Sequence, residues 1–381
     1  MMFVCFRRLA VIVALASAAL LLAGCVTAGS RVEATQAPVA APALEAIADA
    51  AQAAGFNGIA FVASRDHVLL EKAFGRLTPT STVPLRPDSV FRFASISKQL
   101  TATLVMQEVA DGRLTLDAPL GRYWPEFPNA DARLATVRQL LAHTSGLPNP
   151  NKVDGFYQPT RVRDTHMRTA AETVCAAPLE GIPGEAFEYN NCDYLVLGAL
   201  LEKITTTPFS TLLTQRILTR AGMTRTGLYT RETAGIEWHA QGIVDGKSDG
   251  TINPAAYAAA AGLYGTVHDV WQFNRAFTDG RLLDSAARQT MIKPNQWGAA
   301  LGVWSYELKA ANGKLAKIVE RQGWIGGIRV VNLLDLNSNT SVIVMSTQGD
   351  FDLSQSWTGK GVAAELMLQA VSDIPKDTPL P

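Results

Sequence analysis

Strand-forming runs stand at the two ends of this chain, and helical runs fill the stretch between them. Near the start, residues 58–63 and 68–74 are rich in β-branched, aromatic and other apolar side chains and meet across Arg65-Asp66, the pattern of a hairpin. Toward the end, residues 301–308, 314–320, 328–336 and 340–346 make four more such runs, with Asn312-Gly313 and Asn337-Ser338-Asn339 between them. Those turn residues suit tight hairpins, so the four runs read as a meander. From about 113 to 295, Pro119, Pro125, Pro128, Pro148, Pro150 and Pro183 punctuate helical runs at 136–142, 168–176, 190–203 and 208–220. Further helices are expected at 44–54, 95–110 and 361–371. A sheet needs a second layer to bury its apolar face. The expected class is therefore α/β in the α+β sense: an antiparallel sheet built from both termini and flanked by helices. A mostly helical lobe is inserted into it, with a cleft where the lobes meet.

The first residues do not belong to that fold. Arg7 and Arg8 precede an apolar run over 9–22, too short for a comfortable membrane span, and Leu22-Ala23-Gly24-Cys25 follows. This reads as a lipoprotein signal peptide over 1–24, with Cys25 as the lipidated mature N-terminus; an ordinary signal cleaved nearby is the alternative. Residues 25–43, rich in Ala, Pro, Thr and Val, read as a flexible tether. The expected domain covers 44–375, with a sheet lobe at about 44–94 and 298–375 and a helical lobe at about 95–297. The expected location is the periplasmic side of a bacterial envelope, with the membrane reached only through the lipid.

The 34 basic and 34 acidic residues cancel, and loss of Arg7 and Arg8 with the leader leaves about −2. Such a balance supplies no field for nucleic acid or an anionic membrane surface. A small-molecule or peptide substrate and a monomer are expected. At 48% hydrophobic residues the chain can bury a large core. His67, His143, His166, His239 and His268 are scattered, with no two at metal-ligand spacing, so neither metal nor cofactor is expected. Neither a Gly-x-Ser-x-Gly elbow nor a phosphate-binding glycine loop occurs. Apart from Cys5 and Cys25, only Cys175 and Cys192 remain. A bridge is compatible with the compartment, but both cysteines fall in helical runs, which equally suits two buried thiols.

Ser95 and Lys98 stand three apart at the start of the expected 95–110 helix, so their side chains share one face. A desolvated lysine can take the proton that makes a serine hydroxyl nucleophilic. Free amide groups at the same helix start suit a developing oxyanion. Ser-x-x-Lys alone recurs by chance, and taken alone it fits an N-cap with a solvated lysine. Tyr189 and Asn191, on the turn before the apolar 190–203 helix, add a phenol beside Lys98 and an amide able to meet a substrate. In isolation they also fit a capping pair.

Together, FASISK at 93–98, DGRLTLDAPLGRYWPEF at 111–127, TVRQLLAHTSGLP at 136–148, PGEAFEYNN at 183–191 and AAGLYGTVHDVWQF at 260–273 resemble the serine β-lactamase and penicillin-binding-protein superfamily. The branch is that of class C β-lactamases, D-alanyl-D-alanine carboxypeptidases and related esterases. The resemblance implies a β-lactamase/transpeptidase-like fold. It also implies Ser95 as acylated nucleophile, Lys98 as its proton partner, Tyr189 as base and Asn191 as a substrate contact. The family's third element, Lys-Thr-Gly or His-x-Gly on a strand beside the cleft, is Arg321-Gln322-Gly323 here. Gly323 fits a close backbone approach, and Arg321 keeps a charge able to hold a substrate carboxylate. The Trp324 amide falls where the oxyanion hole would be completed with that of Ser95.

The implied activity is hydrolysis of an amide or ester through an acyl-enzyme: a D-alanyl (peptidoglycan) peptide, a small ester or a β-lactam. The alternative is a non-hydrolysing penicillin-binding or sensor module of the same fold. His143 is expected to be a structural loop histidine, and Tyr123, Trp124 and Phe127 to pack under the lobe interface. Trp238, Trp297 and Trp304 are candidates for the cleft mouth.

Overall fold

The computed structural model describes residues 42–154, 156–157, 167–230, 239–249, 252–353 and 355–373. The leader, Cys25, the expected tether as far as residue 41, His166 and Trp238 lie outside the described residues; residues 42 and 43, expected in the tether, belong instead to the first helix, Pro42–Ala53. Among those described, no helix is long and apolar enough to cross a membrane.

In chain order the strands are β1 (Gly58–Ser64), β2 (His67–Phe74), β3 (Phe91–Arg92), β4 (Gly227–Leu228), β5 (Ile243–Val244), β6 (Lys247–Ser248), β7 (Leu263–Gly265), β8 (Trp304–Lys309), β9 (Leu315–Ile325), β10 (Ile328–Asp335) and β11 (Thr340–Ser346). The main sheet is β2-β1-β11-β10-β9-β8, antiparallel throughout. Strands from the two ends of the chain pair within it, as the terminal patterning requires: Gly58 of β1 pairs with Ser346 of β11. The expected architecture of one sheet from both termini is observed.

Both faces of this sheet are covered, which is why β1 and β11 are buried at nearly every position rather than alternately. Ile59, Phe61, Ile343 and Met345 join the core shared with the helical lobe. Ala60, Val62, Val342 and Val344 join a second core with Leu44 and Ala48 of the helix Pro42–Ala53 and Leu366 and Met367 of the helix Val362–Asp373. The same alternation orders β9. Ala316 and Ile318 enter the second core and Val319 the first, so Arg321 and Gly323 turn toward the helical lobe while Glu320, Gln322 and Trp324 turn the other way.

Two differences from the sequence reading bear on the site. The β-rich run at 314–320 continues as strand to Ile325, carrying Arg321-Gln322-Gly323 along the sheet past the end of β8, whose pairing stops at Trp304 opposite Glu320. The helix Ser97–Ala110 is not merely apolar on one side: Ser97, Lys98, Gln99, Thr101 and Thr103 are buried as well, because packed elements surround it.

Cys175 and Cys192 form a disulfide, with Cα atoms 5.3 Å apart. The helical reading of both segments did not favour a bridge. The reason it forms is that Cys175 sits on a short 3-10 turn, Val174–Ala176, laid against the first turn of the helix Cys192–Thr205.

Candidate active site

The segment Ala94–Ile96 is a 3-10 turn that runs directly into the helix Ser97–Ala110. Ala94 holds a left-handed φ of +48°, a strained conformation for a residue with a Cβ. This strain lies one residue before Ser95, which is half-buried at the edge of the cleft.

Lys98 is wholly buried, not solvated. Its Nζ stands 3.3 Å from Ser95 Oγ and donates to Asn191 Oδ1 at 2.6 Å and to the Ala260 carbonyl at 3.0 Å. Burial lowers its pKa to about 8, with the Arg321 charge acting in the same sense and the Tyr189 charge opposing.

Tyr189 brings its hydroxyl to Ser95 Oγ at 2.6 Å. Burial alone would push the phenol up. The charges of Arg321 and Lys98, helped by hydrogen bonds, outweigh that effect and bring it down to about 8. Its ring lies against His143, with centroids 4.4 Å apart.

Asn191 is also at the site, but its amide is engaged within the protein. The oxygen holds Lys98, and Nδ2 donates to Tyr157 Oη at 3.0 Å and Asn151 Oδ1 at 3.2 Å. It sits on the turn just before the helix Cys192–Thr205, and no side-chain cap bond from it is made.

Arg321 is buried. Instead of turning its fork to the cleft mouth for a carboxylate, it donates from Nε to the Ser95 carbonyl at 2.9 Å and from Nη2 to the Tyr189 hydroxyl at 2.6 Å. The alternation of β9 explains this: position 321 faces the helical lobe. Gly323 lies against the Ser95 turn, where an added Cβ would come within 2.5 Å of the Phe93 carbonyl oxygen and 3.0 Å of Ser95 N. The Trp324 side chain faces away and is 63% exposed. Arg329 stacks on it at 3.4 Å, and its Nε1 donates to the Gly326 carbonyl at 2.7 Å.

Ser95, Tyr189, Asn191, Arg321, Gly323 and Trp324 all line one open cleft of about 1190 Å³. Tyr157, Tyr257, Asn151 and Trp304 line it too, and of these the sequence reading singled out only Trp304. Tyr157 and Tyr257 stack face to face at 3.8 Å. They lie 100 positions apart in segments with little helical or strand period, so no local signal marks them.

The other candidates have structural roles. His143 Nδ1 is 2.8 Å from Asp193 Oδ2, and burial, before the charges of Arg321 and Lys98, holds it well below the usual histidine pKa and hence neutral. Trp124 and Phe127 are buried in the main core in edge contact at 5.1 Å, while Tyr123 accepts from the Thr115 amide.

Residues 44–363 match the family described as Beta-lactamase. The chain is 28% identical over 273 residues to esterase EstB of Burkholderia gladioli, covering 61% of this chain and 69% of the esterase. It is 27% identical over 260 residues to penicillin-binding protein 4* of Bacillus subtilis, covering 63% of this chain and 56% of that protein. Among solved structures, the D-amino acid amidase of Ochrobactrum anthropi in complex with L-phenylalanine amide superposes with a TM-score of 0.72 at 26% identity. That match covers 87% of this chain and 98% of the amidase. With a serine, lysine and tyrosine gathered at one cleft and the family match spanning most of its length, the chain belongs to the beta-lactamase family, within the serine β-lactamase and penicillin-binding-protein superfamily of hydrolases.

Proposed function

We propose that this protein hydrolyses an amide or ester through a covalent acyl-enzyme on Ser95. The observation that carries the reading is the 2.6 Å contact between the Tyr189 hydroxyl and Ser95 Oγ. It occurs in a site where Lys98 and Arg321 lower the phenol to about 8. As phenolate, the Tyr189 oxygen accepts the Ser95 proton while Oγ attacks the substrate carbonyl. The oxyanion forms beside the Ser95 amide and the open edge of β9. Ile325 pairs with Ile328 across the hairpin, so alternation turns the Trp324 amide away from β10 toward that edge. Collapse of the tetrahedral adduct breaks the bond to the amine or alcohol, which takes the proton back from Tyr189. Water then attacks the acyl carbonyl and gives its proton to Tyr189; the bond from the acyl carbon to Ser95 Oγ breaks, Oγ takes that proton back from Tyr189, and the acid, free Ser95 and the phenolate result.

The substrate is proposed to be a D-alanyl-type peptide or a small ester before a β-lactam. Arg321 is engaged with Tyr189 and Ser95 rather than free for a carboxylate, and the similar esterase and amidase point the same way.

The test is to incubate purified protein with a p-nitrophenyl ester, a D-phenylalanine amide and a chromogenic cephalosporin, beside Ser95→Ala. Turnover that vanishes in Ser95→Ala, with an acyl mass adduct on the Ser95 peptide of the wild type, supports the mechanism. A labelled but non-turning protein would indicate a binding module instead, and equal turnover by the two proteins would overturn the nucleophile assignment.

A further inference from the structure

A second cavity, of about 440 Å³, adjoins the cleft and shares Trp304 and Gln322 with it. Trp297, Trp304, Tyr306 and Trp357 form its aromatic walls, and Glu320 lies among its lining residues. Three elements build it. Trp304 and Tyr306 stand two apart on β8, Glu320 faces Trp304 directly across the ladder, and Trp357 arrives from the turn Ser356–Thr358 before the last helix. Large aromatics left in water need a reason: Trp297 is 37% and Trp357 65% exposed.

The carboxylate is the informative member. Glu320 is 2% exposed, yet among the described residues its oxygens accept only from neutral donors, the Tyr306 hydroxyl and the Gln322 amide. Among the described residues it makes no ion pair. Arg321, its neighbour in sequence, points to the opposite face of the sheet and is engaged there. Burying a carboxylate with no ion-pair partner in contact is costly; burial holds this carboxyl above its ordinary range, outweighing the hydrogen bonds from Tyr306 and Gln322 and the more distant Arg321 charge. An apolar guest would worsen the cost. A weakly hydrated organic cation would relieve it, and tryptophan and tyrosine faces attract such a cation.

We propose that this cavity is a subsite for an alkylammonium group carried by the substrate. The subsite rests on the acyl-enzyme reading for its link to turnover, because Trp304 and Gln322 place it beside the Ser95 cleft, but its occupancy can be measured without chemistry.

Tetramethylammonium and the neutral tert-butanol are titrated into wild-type and Ser95→Ala protein, with tryptophan fluorescence as the readout. Tetramethylammonium is expected to give a saturable change in both proteins, weakened about tenfold in Glu320→Gln and in Trp357→Ala. Trp357→Ala alters an exposed side chain and keeps the test valid if Glu320→Gln folds poorly. Esters bearing trimethylammonium on the acid or on the alcohol side are then compared with their tert-butyl isosteres. On one side, kcat/KM is expected to favour the cation about tenfold, with the ratio falling toward one in Glu320→Gln.

Equal response to tetramethylammonium and tert-butanol, or affinity unchanged in both variants, overturns the subsite. Saturable binding in a protein whose turnover survives Ser95→Ala supports the subsite and overturns the Ser95 mechanism.

Discussion

Arg321 donates from Nη2 to the Tyr189 hydroxyl across 2.6 Å, so the residue that stands where the resemblance implies lysine or histidine contacts the tyrosine proposed as the base. Burial raises the phenol, and the Arg321 and Lys98 charges bring it to about 8. The active phenolate accumulates as pH rises through that value, so kcat/KM should climb to a plateau above about pH 8. Arg321→Gln leaves burial less opposed and moves the limb upward. A shift of about one pH unit or more is expected, equal to about 1.4 kcal/mol of lost charge stabilisation, with at least about a tenfold loss at pH 7. A pH–rate profile decides it, and an unmoved limb would remove Arg321 from the tuning of Tyr189.

Gly323 is the point where β9 touches the Ser95 turn. Gly323→Ala would drive a methyl group into the Phe93 carbonyl oxygen and the Ser95 amide. The strand must retreat, and displacements of this size at a reacting centre cost about a hundredfold in rate. Steady-state kinetics should therefore show a fall of about that size in kcat/KM while cooperative unfolding persists. Near-native turnover would mean that β9 does not hold Ser95 in place.

Tyr189→Phe keeps the ring on His143 and removes only the oxygen between Ser95 and Arg321. Loss of a general base typically costs 10²–10⁴-fold, about the fall expected in the rate of ester acylation followed by stopped flow. A variant within threefold of wild type would transfer the base role to Lys98.

The Cys175–Cys192 bridge closes a loop of 17 residues directly at the turn that carries Tyr189 and Asn191. Loops of this length are stabilised by about 3 kcal/mol when closed. The Cys175→Ala, Cys192→Ala double variant, or wild type in reductant, should unfold with a stability lower by about 2–4 kcal/mol. Denaturant curves that overlay would contradict a stabilising role.

Arg92 and Asp249 form a buried pair, 8% and 5% exposed, with contacts of 2.6 and 2.8 Å. Asp249 also accepts from the Gly242 and Gly327 amides, tying down the turn that ends β9. Asp249→Ala strands a buried guanidinium, and a loss of about 3–5 kcal/mol is expected in chemical unfolding. A loss below 1 kcal/mol would show that Arg92 finds water instead.

Much of the architecture was legible because it is local. Alternation and turn residues in 314–346 specify strands whatever their partners, and an apolar run such as Cys192–Thr205 is helical on its own pattern. Ser95, Lys98, Tyr189 and Asn191 could be picked out because their residue types and order are chemical signals carried within short segments. The Tyr157–Tyr257 stack, the disulfide and the pocket around Glu320 were not legible, since each joins segments with no local pattern in common.

By itself, the sequence determined the sheet from two termini, the helical run after Ser95 and the presence of a cation at position 321; that Ser95 sits on a 3-10 turn before the helix, which starts at Ser97, emerged only in the structure. Only the tertiary structure decided what that cation does. The parity of β9 turns Arg321 inward onto Tyr189 and Glu320 outward into an aromatic pocket. A residue's chemistry is local, but the face it presents depends on its parity in a strand whose two sides meet different layers, and which stretch of that strand stays open at the edge depends on its partner: the β8 pairing stops at Trp304 opposite Glu320.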